Sequence, residues 1–221
     1  MTPSVMKAQL RAIVAKEDPQ MLCGYLAKLR NADFRLAGIA LADAEIWAEA
    51  DFWRFATVLV AANSKAYLGT MLKAAITCGE TMPTEDFAKA CKTEIDKKKV
   101  MEALLQLYHH PHKIAELFAL LEFDKATSAT RANLLFRIGT APAYYMLFEE
   151  LKQYEDNPPF LRRYGVELIR RGDKLSFNLA SIIQEYFALP ELPGSFSLSI
   201  PPYELSNLDK SYESFKTILQ R

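Results

Sequence analysis

Glycine is scarce in this chain, with eight residues in 221, and none of them belongs to a phosphate-cradling loop. No Gly-x-Gly-x-x-Gly, Walker A or Gly-x-Ser-x-Gly sequence occurs. An enzyme reading therefore has no motif to stand on, and the expectation is a protein without catalytic residues and without a cofactor. A surplus of one charge is missing as well. Lys plus Arg and Asp plus Glu both number 27, so the formal charge is zero and the pI is near 6.8. Proteins that hold nucleic acid usually carry a basic excess, which makes that partner unfavoured. The three cysteines, Cys23, Cys78 and Cys91, lack CxxC spacing. An odd count with no framework points to a reducing compartment and to small core residues. Long apolar runs are missing too: Asp51, Arg54 and Lys65 interrupt the best candidate for a membrane span, so no membrane partner is expected. Residues 1–16 mix apolar positions with Lys7, Arg11 and Lys16 and show no signal-peptide pattern. The expected location is cytoplasmic.

What the chain has is helical periodicity. Residues 51–79 are the clearest stretch: an apolar helix from Phe52 through Val60, capping residues Asn63 and Ser64, a second apolar helix, and Gly79 to stop it. Before it, Asp18-Pro19 starts a helix carrying Leu22, Tyr25, Leu26 and Leu29. Asp33 is expected to cap the next, which carries Phe34, Ala37, Leu41, Ala44 and Trp47. Downstream, one helix is expected over 85–107, broken at Lys97-Lys98-Lys99, and His109-His110-Pro111-His112 follows its end. Helix pairs are expected over 128–138 and 142–154, and over 160–170 and 174–187. Gly139-Thr140-Ala141 and Gly172-Asp173 are the corners within these pairs, and Asn157-Pro158-Pro159 separates one pair from the other.

The central unit echoes downstream. Arg54 matches Arg131 and Ala66-Tyr67 matches Ala143-Tyr144; Leu59-Val60 with Asn63-Ser64-Lys65 matches Leu168-Ile169 with Gly172-Asp173-Lys174. Repeated helix pairs bury their faces only against neighbours. Over residues 19–187 the chain resembles HEAT-type α-solenoids at the level of architecture. The resemblance implies an all-α fold of stacked antiparallel helix pairs whose concave surface holds a protein or peptide. Residues 1–188 form the repeat domain in this reading. Residues 189–221 form an extended, proline-containing strap with a short helix over 212–219. Phe196 and Ile200 are expected to dock on the last pair, covering its apolar flank.

Candidate partner-binding residues are Arg54, Arg131 and Arg163, with Trp47 and Trp53 inside the acidic run Asp43, Glu45, Glu49 and Asp51. For the tryptophans, core packing takes precedence over a binding rim. Arg131, Arg137, Arg162, Arg163, Arg170 and Arg171 give the alternative function, a basic stripe for nucleic acid or a phosphate ligand. The other reading of that stripe is complementation of helix C-termini and snorkelling over apolar neighbours. His109, His110 and His112, with Asp86, Cys91 or Glu116, are the one grouping with metal-ligand chemistry. The plain alternative is a polar turn at a helix C-terminus, where a cation is favourable. Glu149 and Glu150 are expected on a solvated face beside Lys152. Oligomeric state and the partner's identity carry no sequence signal.

Overall fold

The computed structural model describes residues 2–62, 67–78, 82–195, 197–208 and 210–221. Among them are fourteen α-helices and no strand, so the fold class is all-α. The chain divides into two compact units, Met1–Leu107 with Glu116–Phe123, and Tyr108–Ala115 with Asp124–Arg221. Among the described residues, no helix is long and apolar enough to cross a membrane.

The first unit contains α1 (Pro3–Val14), α2 (Pro19–Leu26), α3 (Asn31–Leu41), α4 (Phe52–Ala61), α5 (Leu68–Cys78), α6 (Glu85–Ala90) and α7 (Glu94–Leu104). Several starts follow from local chemistry. Asp18 accepts the amides of Gln20 and Met21, and Asp51 and Thr84 accept those of Arg54 and Phe87. Each such cap is worth about 1 kcal/mol by satisfying amides the helix cannot. The helices pack in alternation: α1 on α3, α3 on α5 and α5 on α7, with α2 on α4 and α4 on α6. Leu10, Leu22, Leu41, Phe55, Met71, Leu72 and Phe87 form the core between them.

Three expectations in this half need correction. Asp33 does not cap α3; it lies in the first turn, and the cap position is Arg30, which makes no side-chain cap bond. Nor does α3 reach Trp47. It ends at Leu41, and Asp43 starts a separate short turn, Ala44–Ile46, by accepting the Glu45 amide at 3.0 Å. Finally, the helix expected over 85–107 is two helices, divided at Cys91–Thr93 rather than at the lysines. Thr93 accepts the Asp96 amide at 3.2 Å and donates its hydroxyl to the Asp96 carboxylate at 2.5 Å. Lysine is a good helix former, so Lys97, Lys98 and Lys99 stay within α7. The Asn63-Ser64 corner and the Gly79 stop lie outside the described residues.

The helix α8 (Pro111–Leu120) falls across the division between the units. The second unit goes on with α9 (Ser128–Ile138), α10 (Ala141–Lys152), α11 (Pro158–Arg171), α12 (Lys174–Tyr186), the single turn α13 (Pro202–Leu205) and α14 (Tyr212–Leu219). Here α9 packs on α10 and α11 on α12, while α14 lies against both α10 and α12. Gly139 ends α9 at φ 71°, and the Arg171 guanidinium occupies the place a Cβ would take there. From that position Arg171 donates to the carbonyl of Phe136 at 2.5 Å and bonds Asp173 at 3.0 Å.

Between α12 and α13 the chain has no regular element, yet its apolar side chains are inside: Leu189, Leu192 and Ile200 are buried. The Glu185 carboxylate accepts the amides of Leu198 and Ile200 and the hydroxyls of Ser181 and Ser197. Gln184 accepts the Leu192 amide and the Ser195 hydroxyl. Leu192 sits directly on the backbone of α11 at Gly165, where an added Cβ would come within 2.5 Å of its methyl group. Phe196 lies outside the described residues. In α14, Phe215 is fully buried against Tyr145 and Phe148, and the Asn178 amide on α12 donates to the Leu219 carbonyl at 2.9 Å.

Candidate functional site

The face of α3 that turns away from the core is itself apolar. Ala37, Ala40 and Leu41 are buried, whereas Phe34 is 40% and Ile39 61% exposed. Positions 34, 38 and 42 and positions 35 and 39 share that outer face by helical spacing. Beside it runs the face of α5 and its approach carrying Tyr67, Thr70 and Lys73. Together Phe34, Arg35, Gly38, Ile39, Ala42, Tyr67, Thr70 and Lys73 line a groove of about 470 Å³ within the first unit.

Its floor is fixed from both sides. The Phe34 and Tyr67 rings meet at 4.6 Å, and the Thr70 hydroxyl is turned back onto the Tyr67 carbonyl at 2.7 Å. Tyr67 is only 3% exposed and burial pushes its hydroxyl up to about 12. Among the described residues that hydroxyl has no hydrogen-bond partner, which costs free energy in a buried place. The α3 backbone at Gly38 is approached loosely from across the groove, since even a Cβ there would lie 3.9 Å from Thr70 and 4.0 Å from Tyr67. Arg35 and Lys73 are its charged lining residues, both basic, both exposed and both without an ion pair among the described residues.

Two other hollows in this unit are less suited to a ligand. One of about 100 Å³ lies among Arg11, Glu17, Glu45 and Glu49. One of about 380 Å³ is rimmed by Glu85, Lys89, Lys97 and Glu122, where Lys97 and Glu122 already pair at 3.3 Å.

Trp47 and Trp53 are core residues, 3% and 7% exposed. The Trp47 indole donates to the Leu41 carbonyl at 3.0 Å, and the Trp53 ring lies tilted by 60° against Phe87 at 4.9 Å, its own N–H unpartnered among the described residues. Of the acidic residues around them, Asp43 is bound to Lys7 at 2.5 Å, which holds its carboxyl below the usual range. Arg54 and Arg163 are exposed, on α4 of the first unit and α11 of the second. Arg131, the residue that aligns with Arg54, is turned inward. It pairs with Glu150 at 2.5 and 3.0 Å and also donates to the carbonyls of Asp124 and Ala126.

Glu150 is thus not on a solvated face as expected; its side chain is 13% exposed and also accepts the Ser128 hydroxyl. The basic stripe is similarly occupied from within. Arg162 reaches the carbonyls of Pro190 and Glu191, Arg170 pairs with Glu167, and Arg171 with Asp173. A guanidinium matched by a carboxylate adds little charge for phosphate. The histidines flank the N-terminus of α8 rather than a helix C-terminus, since α7 stops at Leu104. His110 and His112 share a contact between their Nδ1 atoms at 2.9 Å. Among the described residues, no group of three or more His, Cys, Asp or Glu could hold a metal ion.

Searches with protein-family models, curated proteins and solved structures find no match for this chain.

Proposed function

We propose that this chain is a non-catalytic, cytoplasmic protein- or peptide-binding module built as a HEAT-like stack of antiparallel helix pairs. The stacking of α1, α3, α5 and α7 in one row and of α2, α4 and α6 in another supports the stack. The polar and apolar fastening of residues 189–200 supports a strap that covers the last helix pair. The observation that carries the function is the groove between α3 and α5: two large apolar side chains held outward over a ready-made trough. Monomers rarely leave such patches without a use.

The test is selection from a displayed random-peptide library on the immobilised full chain. Sequences that bind the wild type and not Ile39→Glu, with circular dichroism showing the variant folded, support the reading. Failure to enrich any sequence, or equal binding to the variant, removes it.

A further inference from the structure

We infer that the occupant of the α3–α5 groove is a short amphipathic helix of a partner protein with acidic residues flanking its apolar face; this rests on the binding-module reading above. The first argument is shape. From Phe34 to Ala42 the groove follows two turns of helix, about 12 Å, bounded by 34-38-42 with 35-39 on α3 and, across from them, by Tyr67 just before α5 with Thr70 and Lys73 on it. A trough between two helices accepts a third helix, which inserts anchors at spacings of i, i+3 or i+4 and i+7. An extended peptide would find no free sheet edge here, because the described residues contain no strand.

The second argument is the floor. Gly38 lets a side chain approach the α3 backbone, and Phe34, Ile39 and Ala42 surround that approach with apolar surface. A large aliphatic or aromatic anchor fits that place, and a polar one would be desolvated without a partner.

The third argument is charge. The two charged groups on the rim, Arg35 and Lys73, stand on opposite walls, one on α3 and one on α5. A helix lying between them meets a cation on either side, so carboxylates next to its apolar stripe are complementary and lysines are opposed. The same two cations argue against a second copy of this chain. A twofold pairing of like surfaces would bring Arg35 and Lys73 against themselves across the axis.

The probes are three synthetic 16-residue helical peptides with identical leucine anchors, flanked by Glu, flanked by Lys, or Glu-flanked with the anchors scrambled. Binding to the full chain is read by fluorescence anisotropy at two salt concentrations. The Glu-flanked peptide is expected to bind best and to weaken with salt. The double variant Arg35→Glu/Lys73→Glu is expected to lose about tenfold for it, as two exposed ion pairs allow, and to gain for the Lys-flanked peptide. Gly38→Met, which fills the trough, should abolish binding of both. Equal binding of the Glu- and Lys-flanked peptides overturns the acidic-helix inference while leaving the binding-module reading intact. Binding of the scrambled peptide as tightly as its parent overturns it too. No binding by any peptide, alongside library selection that does enrich groove-dependent sequences, also overturns the inference alone. A concentration-dependent dimer that Ile39→Glu dissolves replaces the partner helix with a second copy.

Discussion

The two units treat their buried polar atoms differently. In the second, Tyr144 donates to Ser176 at 2.6 Å, and the one proton of Ser176 goes on to Asp173 at 2.6 Å, so the order of donation is fixed. Tyr164 reaches Asn133 at 2.9 Å, and the Arg131–Glu150 pair is closed by four further donors or acceptors. In the first unit, the buried Tyr67 hydroxyl and Trp53 indole have no partner among the described residues, and Val5, Met21, Phe34 and Ile39 are all exposed. A domain that matches its interior groups specifies one packing. One that leaves aromatic donors unmatched beside outward apolar side chains has traded some internal fit for a surface. The second unit is not flawless, since the Thr140 hydroxyl is unpartnered among the described residues, Glu204 Oε2 is held only by the Arg221 ion pair and Tyr203 is exposed, but its Tyr144 and Tyr164 hydroxyls are matched.

The largest way to break the contrast is to stop the chain after Ala188. That removes Leu192, Ile200, Leu208, Tyr212, Phe215, Ile218 and Leu219, all buried. At about 1.5–3 kcal/mol each, this loss is as large as the roughly 5–15 kcal/mol by which a domain is stable. Residues 128–186 should lose protection in hydrogen exchange; retained protection would show that the tail is only an appendage. Next is Glu150→Ala, which strands the mostly buried Arg131. A loss of about 2–4 kcal/mol in chemical denaturation is expected, against less than about 0.5 for Arg54→Ala at the aligned but exposed position.

The sharpest comparison is a pair of equal chemical changes. Tyr144→Phe breaks a hydrogen-bond chain and should cost about 1–2 kcal/mol, whereas Tyr67→Phe removes an unpartnered hydroxyl and should be neutral or stabilising by about 1 kcal/mol. Destabilisation by both would mean that the Tyr67 hydroxyl is satisfied in solution.

The smallest effect is in acid. Burial alone would raise the Asp173 carboxyl, but hydrogen bonds from Ser176 and the nearby Arg171 cation outweigh it and hold the carboxyl below its ordinary value. A carboxyl depressed in the folded state stabilises fully above its unfolded pKa, and that contribution fades as pH falls toward the folded one. Asp173→Asn should therefore flatten the acid limb of a urea-midpoint profile below about pH 4.

Caps and corners were legible because they are local: Asp18, Asp51, Thr84, Asn157 and Asp173 each bond an amide two or three residues on. The break before α7 is legible as well, in the local Thr93-x-x-Asp96 pattern, where Thr93 accepts the Asp96 amide, and the lysines after it do not break the helix. The burial of Glu150 was not, since its partner Arg131 lies 19 residues away on another helix. The groove was hidden for a related reason. Helix α3 is apolar on two faces, and its own sequence does not say which one a neighbour covers. Phe34 reads there as one more core residue, and only the placement of α5 decides that it faces outward. Trp47 and Trp53, candidates for partner binding as well as for packing by sequence, are buried and pack in the core instead of lining a rim, because their flat apolar rings gain more from burial than their acidic neighbours gain from exposing them.

One bond sets a schedule. Because Asn178 donates to the carbonyl of Leu219, the second unit cannot be completed during synthesis until residue 219 has left the ribosome, whereas the first unit is whole once residue 123 has emerged. Domains generally fold as they are made, N-terminal first. Between the emergence of residue 123 and that of residue 219, the chain therefore has its first unit whole and its second still open. Nascent chains arrested with 188 residues exposed should be cut by protease within 124–188, and chains exposed through 219 should resist. Equal resistance at both lengths would detach the schedule from that bond. If resistance appears only at the longer length, the first unit is folded before the second can close.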